Sequence, residues 1–244
     1  MRVRATVAYD GTDYHGFQRQ VDVPTVQGAL EGALLDVSGQ ETRVIGAGRT
    51  DAGVHAIGQV IAFDTNWRHP IGDLQRALNA VLPSDVAVRD VEVTEDGFHP
   101  RFDARRRSYR YTVYNARVRC PIVRRYSHHV AQPLDLEAME EAARLLVGER
   151  DFATFGQPPQ GTSTVRRVLD AHWEVEGPQL DFYIEANAFL YRMVRSIVGT
   201  LFSVGRGWMS VGAFQEALDS CERHRAGTTA PACGLCMLKV TYPT

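Results

Sequence analysis

Strand-like and helix-like segments alternate irregularly along this chain, which predicts an α+β fold rather than a regular βαβ winding. Three observations carry that class. Residues 3–9 alternate, with Val3, Ala5, Val7 and Tyr9 on one side and Arg4 and Thr6 on the other, the period of a strand. Residues 25–38 set Val26, Ala29, Leu30, Ala33, Leu34 and Val37 on one helical face. Both patterns then recur in mixed order. At 244 residues and 44% apolar content, the chain can bury one large core or two small ones. The same composition excludes a disordered or collagen-like chain.

The elements follow in order. Thr25 caps the first helix and Gly39 ends it. A second helix runs from Asp73, with Leu74, Ala77, Leu78 and Val81 inward, and stops before Pro83. Strands follow near Val86–Val93 and Ser108–Tyr114. Leu136, Met139, Ala143, Leu146 and Val147 mark a helix ending at Gly148. Val165–Val175 and Leu180–Ala186 read as strands. Phe189–Val204 reads as a long apolar core helix, Ser210–Leu218 as a shorter amphipathic one, and Leu235–Val240 as a last strand. Gln157–Gly161 is rich in Pro and Gly and reads as a surface loop. The expected organisation is two α/β halves, 1–105 and 106–244.

Charge gives two opposite readings. The net charge of −2 argues against a polyanion partner, because affinity for nucleic acid rests on neutralising phosphates. The distribution reverses this. Residues 101–125 hold nine Arg and one Asp, a charge of +8, and the remaining 18 basic and 28 acidic residues give −10. Such a segment is an electrostatic footprint for a polyanion, and the interleaved Tyr109, Tyr111 and Tyr114 could stack on bases. A solvated Arg-rich strand with one buried tyrosine face is the plainer alternative. Of the 27 basic residues only Lys239 is lysine, and arginine is the planar cation suited to bidentate phosphate recognition. No stretch of 18 apolar residues could span a membrane, and the start lacks an apolar signal core, so the cytoplasm is expected.

The densest polar constellation is Gly46–Ala56. Small residues there let a backbone turn tightly and a bulky ligand approach. Arg49 and Asp51 are two apart and share a face of an extended segment. A guanidinium beside a carboxylate holds it ionised, as a base or nucleophile requires. A Gly-rich turn with a structural ion pair would look the same. The segment lacks the Gly-Lys-Ser/Thr end of a phosphate-binding loop. Asp10-Gly11-Thr12 after the first strand has the look of a phosphohydrolase nucleophile, but Ala8 stands where a second acid is needed; a structured turn is the better reading. Arg192 and Arg195, three apart at the head of the apolar helix, want an acidic partner or solvent, and Asp51 is the attractive candidate. Cys221, His224, Cys233 and Cys236 have zinc-like spacing. Against this, Cys236 falls inside the last strand, so no metal is expected.

Several blocks occur together and in order: Tyr9–Gln18, Gly48–Ala56 with Gly58-Gln59-Val60, Phe98–Phe102, Arg107–Tyr111, Asp151-Phe152, Asn187–Gly199 and Ala230-Pro231 with Gly234-Leu235. With them the chain resembles, over nearly its whole length, the bacterial tRNA pseudouridine synthase A (TruA) family. The resemblance implies a pseudouridine synthase fold, a mixed and mostly antiparallel sheet flanked by helices, with two related halves and a central cleft. It implies an isomerase that converts uridine to pseudouridine at adjacent positions, 38, 39 and 40, of the tRNA anticodon stem-loop. It implies no cofactor, a homodimer and tRNA as partner. Asp51 matches the catalytic aspartate, Arg49 and Arg195 its ionic partners, and Tyr109 the active-site tyrosine. Arg105, Arg106, Arg107, Arg110, His55, Gln59 and Asn187 are the expected substrate-binding residues. The rotating base must leave the stack, so the target is flipped out. A non-catalytic RNA-binding protein of the same fold is the rival reading. The Cys-rich end and near-absence of lysine depart from the family pattern.

Overall fold

A computed structural model describes residues 1–158 and 161–243. The chain divides into two compact units, Met1–Arg105 with Cys236–Thr244, and Arg106–Leu235.

In unit 1 the strands are β1 (Arg2–Tyr9), β2 (Ile45–Gly46), β3 (His55–Asp64), β4 (Val86–Val93) and β10 (Leu235–Thr241), with helices α1 (Val26–Ser38) and α2 (Ile71–Val81). The sheet order is β4-β1-β3-β10, with β2 beside β3. β1 is antiparallel to both neighbours; its pairing with β3 runs from Arg2 opposite Asp64 to Tyr9 opposite Ala56. β10 joins β3 in parallel, with Cys236 opposite His55. The alternation in β1 is as expected: Val3, Ala5, Val7 and Tyr9 are buried. They pack in a core with Ile61, Phe63, Leu30, Leu34, Leu74 and Leu78, each apolar side chain worth about 1.5–3 kcal/mol on burial. Thr25 caps α1 by accepting from the Gly28 N–H, and Gly39 closes it in the left-handed conformation.

In unit 2 the strands are β5 (Arg106–Asn115), β6 (His128–Val130), β7 (Gly148–Asp151), β8 (Val165–Glu176) and β9 (Gln179–Ala186), with helices α3 (Leu136–Arg144), α4 (Met193–Gly205) and α5 (Val211–Ser220). The order is β5-β9-β8-β7, antiparallel throughout, with β6 parallel to β5. Tyr111, Phe182, Phe152, Phe155, Phe214, Met139, Ile197 and Leu201 form the core.

The class α+β holds, with one long strand unexpected and two helix boundaries moved. β3 was not expected as a strand. All but two of its ten residues are buried, so it shows no period-2 alternation to read. The helix expected from Phe189 begins at Met193. Arg192 sits in the left-handed region at φ 60°, and Tyr191 bridges Gln157, so the chain turns before it coils. The helix expected to reach Gly148 ends at Arg144, where Leu145, Leu146 and Val147 donate to carbonyls three residues back. Of the expected loop Gln157–Gly161, Pro159 and Gln160 lie outside the described residues. No helix among the described residues is long and apolar enough to cross a membrane.

α4 is clamped along one side to the segment 227–230. Ala230 N donates to Arg195 O at 2.9 Å, Arg195 Nε donates to Ala230 O at 2.8 Å, and Gly227 N donates to Thr200 Oγ1 at 2.9 Å. The approach requires Gly199, since a Cβ there would lie 1.7 Å from Thr228 O. Gly199→Ala is expected to cost about 3 kcal/mol of overpacking, the upper part of the usual range, measured by urea unfolding. A midpoint unchanged from wild type would show that the segment yields freely.

Candidate active site

The segment that carries Asp51 is irregular, and its position is fixed by neighbours on three sides. β3 supplies the first. Gln59 is wholly buried, and its carboxamide grips one residue: Nε2 donates to Gly48 O at 2.8 Å while Oε1 accepts from Gly48 N at 3.1 Å. Ala47 N adds a bond to Val60 O at 2.8 Å. The end of β1 supplies the second. The buried Tyr9 hydroxyl shares a 2.8 Å hydrogen bond with Thr50 Oγ1, and burial pushes its pKa far above the ordinary range, so it stays protonated. The third is the turn after β1: Phe17 N donates to Thr50 O and Gly53 N to Tyr14 O, at 3.1 and 3.3 Å. Gly11 allows the turn to lie flat on the loop, since a Cβ there would meet Val54 O at 2.0 Å.

That first turn is therefore the cradle of the second. Asp10 has no nucleophile's freedom: its Oδ1 accepts from Thr12 N at 2.9 Å and from the Thr12 hydroxyl at 2.5 Å, and lies 3.1 Å from His55 Nδ1. The same His55 nitrogen is 3.1 Å from Gly11 N. Tyr14 OH donates to Asp85 at 2.7 Å, and burial together with that carboxylate drives its pKa up.

Within this frame Asp51 is half-buried, and its carbonyl closes a tight turn with Val54 N at 3.1 Å. Arg49 is exposed. Burial first, and then the Arg49 charge, lower the pKa of Arg101, so the two guanidiniums act on one another within unit 1. Arg101 had drawn notice only as one of nine arginines. A turn presents it, in which His99 Nδ1 accepts from Arg101 N at 3.2 Å and Asp103 accepts from His99 N at 2.7 Å. The Phe98–Phe102 block was the signal that could have singled it out. Two such cations favour an anion beside them.

The other expected residues divide by unit. His55 and Gln59 are buried in unit 1, braced as described, and Arg105 is exposed there. In unit 2, Tyr109 stands edge-on to Phe189 with ring centres 5.0 Å apart. Arg195 is held by Ala230. Arg106 pairs with Glu185 at 3.2 Å, and Arg110 lies 3.8 Å from Asp181. The buried Arg107 donates to Asn187 O at 2.8 Å, while the Asn187 side chain accepts from Arg167 N at 2.9 Å. No group of three or more His, Cys, Asp or Glu among the described residues could hold a metal. Cys236 is a β10 residue, Cys233 contacts Ser127 O at 3.6 Å, and Cys221 is exposed.

The family model for tRNA pseudouridine synthase matches residues 5–103 and 142–243 of this chain. The chain belongs to the tRNA pseudouridine synthases. Proteins named tRNA pseudouridine synthase A share this sequence almost end to end. The one from Thermoanaerobacter sp. (strain X514) is 44% identical over 98% of this chain and 99% of its own. The Brevibacillus brevis protein is 46% identical over 99% of each chain, and that of Chloroflexus aurantiacus 48% identical over 97% and 87%. The pseudouridine synthase fold and an isomerase activity come with the family.

Gln59→Leu keeps the bulk of that side chain and removes both bonds to Gly48. It should cost about 2–4 kcal/mol, from two lost bonds and two half-buried peptide groups left without that partner. It should also slow pseudouridine formation at saturating tRNA more than it weakens tRNA binding. Equal losses in both measurements would mean that the brace does not act through the loop.

Proposed function

We propose that this enzyme converts uridine to pseudouridine at positions 38, 39 and 40 of the tRNA anticodon stem-loop, with Asp51 as the catalytic carboxylate. One observation carries the assignment: Asp51 is the acid on the loop that Gln59, Tyr9 and the Tyr14–Phe17 turn all hold in place. A catalytic group must keep its geometry within a fraction of an ångström, and a loop locked by buried hydrogen bonds meets that demand.

The chemistry breaks the C1′–N1 bond, turns the uracil and joins C5 to C1′, with the C5 proton lost at the end. Atoms and charge balance without an oxidant or a phosphate donor. The base cannot turn inside a stacked helix, so the nucleotide is flipped out. Asp51 acts ionised, and Arg49 and Arg195 are assigned to favour its anion. Tyr109 is assigned to stack on the extruded base. Arg101 joins Arg49 as a partner for the nucleotide's phosphate.

Among the substrate-binding residues, Arg105 is assigned to the RNA backbone. Arg106, Arg107 and Arg110 act from strand positions where unit 2 already engages them, and Asn187 fixes Arg107 through its carbonyl. His55 and Gln59 serve as positioning residues beneath the loop. A cytoplasmic homodimer complements this reading.

Asp51→Asn changes one oxygen to an amide of the same size. It should abolish tritium release from C5-labelled tRNA with no added cofactor, while tRNA affinity stays near that of the parent. Robust tritium release from the variant would remove Asp51 from the catalytic role.

A further inference from the structure

The positive charge of this chain is spent unevenly. Between Asp103 and Asp135 the sequence has eight arginines and no acid. Those on β5 are engaged: Arg106 by Glu185, Arg107 by Asn187 O and Arg110 by Asp181. The β5–β6 connection, residues 116–127, is different. Arg117, Arg119 and Arg124 are exposed there and make no ion pair or side-chain hydrogen bond among the described residues. The same short stretch exposes three large apolar side chains, Val118 at 72%, Ile122 at 85% and Tyr126 at 53%. Open apolar side chains beside exposed cations suit a ligand that carries both a base and a phosphate.

The connection also closes over a cavity of about 270 Å³ lined by Tyr114, Arg119, Cys120, Val123, Arg124 and His128, among others. Its position is fixed: β6 pairs with β5, and the His129 ring nitrogen is 2.7 Å from Ala116 O. Burial, with Arg206 and His129 nearby, lowers the His128 pKa and keeps that ring neutral at pH 7, so the permanent charge at the cavity is that of the arginines. The volume lies just below the range of about 300–1,000 Å³ usual for small-molecule pockets, a size for one phosphate and its sugar.

We propose that this cavity and its arginine rim are a second tRNA-holding site, separate from the Asp51 loop. Arg119 and Arg124 grip a backbone phosphate there, and Val118, Ile122 and Tyr126 take the adjoining ribose and base. The inference rests on the reading of tRNA as substrate and adds where the tRNA is gripped. A second copy of the chain fits less well. A two-fold contact through this face would set like patch on like patch and bury unpaired guanidiniums together. A phosphodiester supplies the missing anion in the bidentate geometry that arginine prefers.

The test compares wild type with Arg119→Glu/Arg124→Glu, Arg119→Lys/Arg124→Lys and, as a remote charge control, Arg223→Glu. Binding of an unmodified tRNA transcript is measured across about 50–200 mM salt. The Glu pair should weaken binding at least ~10-fold and flatten the salt slope by about 0.7–0.9, the share of one phosphate contact. The Lys pair should keep the slope and lose less affinity, and Arg223→Glu should match wild type. Unchanged affinity and slope in the Glu pair would overturn the site. So would an affinity loss that tracks a change in sedimenting mass, which would make this face a contact between copies. Wild-type protein that forms no pseudouridine in the same transcript would instead overturn the functional reading beneath it.

Discussion

A carboxamide inside a protein must find partners for both its ends, because an unpaired buried amide costs about 1–3 kcal/mol. Gln59 solves this by closing on a single peptide unit, Gly48, and the solution sets the position of everything downstream in the loop. Asp51 is three residues further on, too near to wander. The clamp works because β3 is itself fixed: β1 pairs with it along its length, and the last pair, Tyr9 with Ala56, sits where both strands run into their loops. The Tyr9 hydroxyl then reaches Thr50. One antiparallel register thus aligns the cradle and the Asp51 segment together.

Electrostatics follows the same division between what is held and what is offered. The arginines of β5 are bound to Glu185, Asp181 and Asn187, and they contribute to unit 2 as much as to any ligand. Arg117, Arg119 and Arg124, on the connection that follows, have no acid or hydrogen-bond acceptor among the described residues. A net charge close to zero conceals this, because exposed cations act locally and are screened beyond about 8–10 Å. The acidic remainder of the chain tempers its attraction to nucleic acid at large.

Much of the fold was legible because one-sided burial leaves a period in the sequence. β1, α1, β8 and β9 each have a wet face, and each was found. β3 lacks a wet face and was missed, although it carries the site's main brace. The start of α4 was misplaced because a left-handed Arg192 leaves no compositional trace. At the site, the family motifs pointed to Asp51, Arg49, Tyr109 and Arg195. They did not separate residues that touch a ligand from residues that hold those residues. Gln59 and His55 lie in the motif, yet they work beneath the surface. Asp10 forms the turn that the sequence favoured over a nucleophile, its side chain accepting from the backbone two residues on. Arg101 was hidden by its neighbours, since nine arginines in one segment give no reason to prefer one.

Unit 1 takes its final strand, β10, from residues made after the whole of unit 2. Its two contacts on β3 are His55 and Ala56, the residues at which the Asp51 loop enters the strand. During synthesis that end of β3 is an open edge, and it stays open while about 170 further residues are added. All residues of the second unit are therefore synthesised before the last residues of the first. The strand that pairs beside the Asp51 loop arrives last, so a polypeptide broken off short of it has every residue of the loop and lacks the partner that closes the sheet beside it.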